Sequence, residues 1–62
     1  MTVITVERAL AEGATAGRLF ACANWNIRAA GRMKSRAAKA RHMDNARALR
    51  AVAKDMQSTE VH

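Results

Sequence analysis

The sequence predicts an all-α chain, a two-helix antiparallel hairpin that pairs with a second copy into a four-helix arrangement, and three observations carry that prediction. The 62 residues include no proline and only three glycines, so helix breakers are scarce. In the first half, apolar and small residues recur at alternating steps of three and four, the period of a helix seam. Fifteen of the thirty-one hydrophobic residues are alanine, which favours helix and adds little apolar area. A chain this short buries only about 60% of its unfolded surface. It is therefore one domain with a thin core, and association with a second copy answers that shortage.

The first helix is expected over residues 4–30. Thr2 or Thr5 can cap it, because a threonine oxygen accepts a bond from an orphan amide, and Glu7 then sits in the positive first turn. Its seam runs through Val3, Val6, Leu10, Gly13, Gly17, Phe20, Asn24, Ile27 and Gly31. Beside that seam Ala9, Ala16, Ala23 and Ala30 repeat by sevens, a small-residue flank that lets another helix approach closely. A second line holds Ile4, Ala11, Thr15, Cys22, Trp25 and Ala29, so the helix needs covering on two sides. Gly13-Ala14-Thr15-Ala16-Gly17 is a GxxxG step suited to a tight helix crossing. The same two glycines weaken a helix by about 1 kcal/mol each, so a loop or kink there is the alternative. A different break, at Asn24-Trp25-Asn26, is open because asparagine tolerates turns.

Gly31 fits a left-handed residue closing the first helix, and Ser35 fits the next N-cap, which places the turn at residues 31–35. The second helix is expected over residues 36–57, with a frayed tail at 58–62. Ala38, Leu49, Val52, Ala53 and Met56 form its apolar face. One face can cover only one side of the first helix; the seam of Leu10, Gly13, Gly17, Phe20, Asn24 and Ile27 serves helix packing or the dimer. Asn24 on that seam either sets register or marks the helix end.

The charge has a pattern of its own. Eleven Lys and Arg against five Asp and Glu leave a net +6, which favours an acidic partner. Arg32, Arg36, Lys39, Met43, Arg47, Arg50 and Lys54 follow one another at steps of three and four, so six cations form a single ridge about 33 Å long if the segment is helical throughout. Asp44 and Asp55 fall on a different side. Four arginines to two lysines suit bidentate recognition of carboxylate or phosphate. A solvated, solubilising face is the plainer reading, but mixed signs would serve solubility equally well.

Other residues carry weaker signals. Trp25 is either a rim anchor for a partner or a side chain closing the end of the bundle. Met43 within the ridge suits an adaptable surface or simple gap filling. His42 beside Asn45 reads as a satisfied helix histidine, and Cys22 as a structural thiol. A single cysteine permits no internal disulfide and no Cys/His spacing supports a metal, so a reducing, cytoplasmic setting without metal or cofactor is expected. The longest apolar stretches, such as residues 19–23, are far below the roughly 20 residues that span a bilayer, and helix 2 lacks the large apolar side chains of a membrane-surface helix. The five acids are dispersed and no nucleophile, base and orienting group come together in the pattern, so no enzyme activity is expected.

The sequence thus points to a small non-catalytic protein that regulates, by inhibition, a larger protein through its arginine-rich helix face. Nucleic-acid binding by the same ridge is the alternative, without the base-reading or stacking residues that dedicated modules carry.

Overall fold

The computed structural model describes residues 5–60, with side chains to residue 59. The described residues form three helices and no strand: α1 (Val6–Ala11), α2 (Ala16–Arg32) and α3 (Arg36–Glu60). The expected starts at Thr2, Val3 and Ile4, and the last two positions of the tail, lie outside the described residues.

The single helix expected over residues 4–30 is broken. Thr5 caps α1, its side-chain oxygen accepting from the Arg8 amide at 3.2 Å. After one and a half turns the chain reaches Gly13, whose φ of +75° is reached cheaply only without a β-carbon. Around it the amide of Gly13 donates to the Leu10 carbonyl and the amide of Ala14 to the Ala9 carbonyl, both at 3.0 Å. This pair of bonds is a Schellman closure, which satisfies carbonyls that a helix end leaves open. Thr15 then starts α2 by accepting from the Arg18 amide at 3.3 Å. The Gly13/Gly17 step is therefore a helix stop and restart, the looped alternative, with Gly17 in the first turn of α2.

Gly31, expected to end the helix in left-handed conformation, is helical; α2 continues to Arg32 and closes at Met33 with extended backbone. The Asn24-Trp25-Asn26 segment is likewise uninterrupted helix. Ser35 caps α3 as its sequence position suggests, accepting from the Ala38 amide at 3.3 Å. α3 begins at Arg36 and runs to Glu60, so Ser58 and Thr59 of the expected tail are helical.

α3 packs along α2 and touches α1. Their shared core is Ala9, Ala16, Leu19, Ala23, Ala46, Leu49 and Ala53, with Val6, Phe20, Cys22, Val52 and Met56 packed against it. Leucine at two positions and alanine elsewhere means that the helices approach closely and bury little area per residue. The molecule measures 43 × 18 × 13 Å, a single layer of helix. Within this layer sits a polar contact: Asn26, fully buried, donates from Nδ2 to the Cys22 carbonyl at 2.9 Å and accepts from Asn45 Nδ2 at 3.3 Å. Every buried side-chain nitrogen and oxygen among the described residues has a partner.

Candidate docking face

The buried line of α2 is Ala16, Leu19, Ala23, Asn26 and Ala30, and that of α3 is His42, Ala46, Leu49 and Ala53. The residues singled out from sequence stand one position after these. On α2, Gly17 follows Ala16, Phe20 follows Leu19, Asn24 follows Ala23, Ile27 follows Asn26 and Gly31 follows Ala30. On α3, Met43 follows His42, Arg47 follows Ala46, Arg50 follows Leu49 and Lys54 follows Ala53. One residue is about 100° of helix rotation, so both sets lie on a flank beside the contact between the helices.

That placement relocates the packing seam within the chain. Leu10 is 47% exposed and Ile27 36% exposed, Gly13 is in the turn, and Gly17 and Asn24 are exposed; Phe20 alone of the six reaches the core, half-buried. The contact runs instead along the small-residue flank beside the expected seam, because alanine permits the closer approach. All five cations of the ridge on α3 (Arg36, Lys39, Arg47, Arg50 and Lys54) are exposed, and Met43 is half-buried among them. Arg32 is separated from the others. It ends α2, which shortens the ridge to about 27 Å from Arg36 to Lys54 at 1.5 Å per residue.

Asp44 comes nearer the ridge than its position on the helix suggests. Its Oδ1 lies 3.3 Å from Arg47 Nη1, a pair with both side chains more than 70% exposed. Exposed pairs of this kind are weak and screened by salt, so Arg47 remains available to a stronger partner.

The preceding positions form the other flank, which is covered in its middle, while Thr15, Arg18, Arg41 and Ala48 on it are exposed. Cys22, Trp25, Asn45 and Val52 are half-buried and Ala29 is buried. Val6 and Ala9 of α1 share the core with Cys22 and Val52, while Trp25 lies against His42, ring centroids 6.3 Å apart and tilted by 40°. Trp25 thus has a partner within the chain. His42 itself is buried, and its Nδ1 lies 2.9 Å from the Ala38 carbonyl, which requires a proton on that nitrogen.

A groove of about 500 Å³ opens between α1 and the start of α2, lined by residues that include Arg8, Glu12, Arg18 and the free Cys22. Arg8 Nε and Glu12 Oε1 stand 3.7 Å apart beside it. No group of three or more His, Cys, Asp or Glu side chains gathers among the described residues, and no described helix is long and apolar enough to cross a membrane.

Sequence reasoning passed over the Asn26–Asn45 bond. The signal was present, since Asn26 stands three residues beyond Ala23 and seven beyond Leu19, on the line that becomes buried. Comparison with protein-family models, with curated proteins and with solved structures finds no match to the chain.

Proposed function

We propose that the protein is a non-catalytic regulator that docks, through one face of an α2/α3 hairpin, onto an acidic surface of a larger protein and inhibits it. The observation that carries this reading is the uneven cover of the two flanks: on one, Cys22, Trp25, Ala29, Asn45 and Val52 are half-buried or buried beside α1 and His42, while the other leaves Ile27 and five cations of the ridge exposed. In an antiparallel pair of right-handed helices, flanks displaced in the same rotational sense from the contact lie on the same side. Phe20, Asn24 and Ile27 then stand beside Met43, Arg36, Lys39, Arg47, Arg50 and Lys54 as a single face.

Such a face joins an apolar strip to a cationic border, the layout of a protein interface with an apolar centre and a polar rim. A phosphate backbone would use the cations and leave the apolar strip uncovered, which favours a protein over nucleic acid. A second copy is a poorer occupant, because it brings a net charge of the same sign and a cationic edge in place of an acidic one. Inhibition follows if the acidic surface is one that the larger protein uses for its own partner or substrate.

The test is capture from nuclease-treated lysate with the wild-type chain and with Arg47→Glu/Arg50→Glu. The reading expects one protein recovered in stoichiometric amount by the wild type and lost with the double variant. Retardation of duplex DNA with a steep salt dependence, reduced by the same substitutions, would overturn it in favour of nucleic acid.

A further inference from the structure

The docking face has a shape and a length as well as a charge. Its α2 edge carries two glycines: a β-carbon built on Gly31 meets nothing within 4 Å, and one on Gly17 meets only the Thr15 hydroxyl oxygen at 3.9 Å. Between and beside them Phe20, Ile27 and Met43 supply the apolar floor. The α3 edge carries cations of one sign at helical steps over about 27 Å. An occupant must therefore bring apolar side chains to the middle, acids along one edge, and a backbone that can lie close to the glycines.

We infer that this occupant is an acidic amphipathic α-helix of the partner, laid along the face between the α2 and α3 edges; the inference rests on the docking reading above. Charge complementarity fixes the acids, which must face Arg36, Lys39, Arg47, Arg50 and Lys54 from one edge only. Backbone chemistry fixes the helix. The face is built from two helices whose amides and carbonyls are already engaged, so it offers no strand edge, and an extended segment would bury unpaired backbone groups against Phe20 and Ile27. A helix satisfies its own backbone and presents apolar residues at i, i+3 or i+4, and i+7 to a groove. The spacing from Phe20 to Ile27 is one such seven-residue step. A partner helix matching the ridge is about 18 residues long.

The direct test is a display selection of random peptides of about 18 residues, the helical length that matches the ridge, against the full chain. The expected winners are acidic, with apolar residues at helical spacing and acids along one edge. A synthetic copy of a winner is expected to gain helical circular dichroism on binding. Its affinity should fall at least tenfold with Arg47→Glu/Arg50→Glu and with Ile27→Glu. Asn24→Glu, at an exposed position on the same line, gives the same loss without touching the core. Circular dichroism of each variant alone establishes that it is folded. Acidic winners without helical periodicity, or winners indifferent to Ile27→Glu and Asn24→Glu, would overturn the helix inference and leave the docking reading standing. Winners indifferent to Arg47→Glu/Arg50→Glu would overturn the docking reading as well.

Discussion

Gly13 and Gly31 look alike in the sequence and do opposite things in the fold. Gly13 holds φ at +75° in open space, so an added methyl group meets no atom and yet forces a backbone that alanine disfavours. Gly13→Ala is expected to destabilise the protein by about 1 kcal/mol, the penalty of left-handed backbone with a β-carbon. Gly31 is helical and equally open, so Gly31→Ala should stabilise by about 0.5–1 kcal/mol through the unfolded chain. Urea unfolding of the two variants checks both signs at once. Asn26 is the polar counterpart. Truncating it to alanine removes a bond to the Cys22 carbonyl and one to Asn45 inside the core, and should cost about 1–3 kcal/mol in the same measurement.

At the level of elements, caps were legible and the packing seam was not. Thr5 and Ser35 stand where their hydroxyls meet free amides, and α3 begins at Arg36 as that cap requires. The cationic ridge was legible too, since a period of three and four is a local property; only Arg32 was lost, because the turn falls after it. The seam was displaced by one residue. Leu10, Phe20 and Ile27 are larger than Ala9, Ala16 and Ala23, and size draws a sequence reading toward them. The fold buries the alanines because two helix backbones meet more closely there, which is a property of the pair and absent from either helix alone. The break at Gly13 was one of two readings left open, and the Schellman bonds that decide it come from neighbours in an ordinary helical pattern. Leu19, absent from the expected seam, gives the energetic test of the observed one: it is fully buried, so Leu19→Ala should cost about 2–5 kcal/mol, whereas Leu10→Ala, at a position 47% exposed, should change little.

For the whole molecule, the thin layer and the concentrated charge belong together. A body 43 × 18 × 13 Å cannot enclose all of its apolar residues, and α1 with Trp25 covers part of one flank of the helix pair. The opposite flank carries the exposed Ile27 between the half-buried Phe20 and Met43, together with five cations of the ridge. Partner binding should therefore stabilise the fold, since a ligand that binds only the native state adds to its unfolding free energy. The central claim is that this flank is where a protein partner sits. A photo-crosslinking amino acid placed at Ile27, and separately at the exposed Ala51 on the outer side of α3, tests it in nuclease-treated lysate. The account predicts one crosslinked protein from position 27 and none from position 51. Crosslinks from both positions alike, or from position 27 only to another copy of the chain, would contradict it.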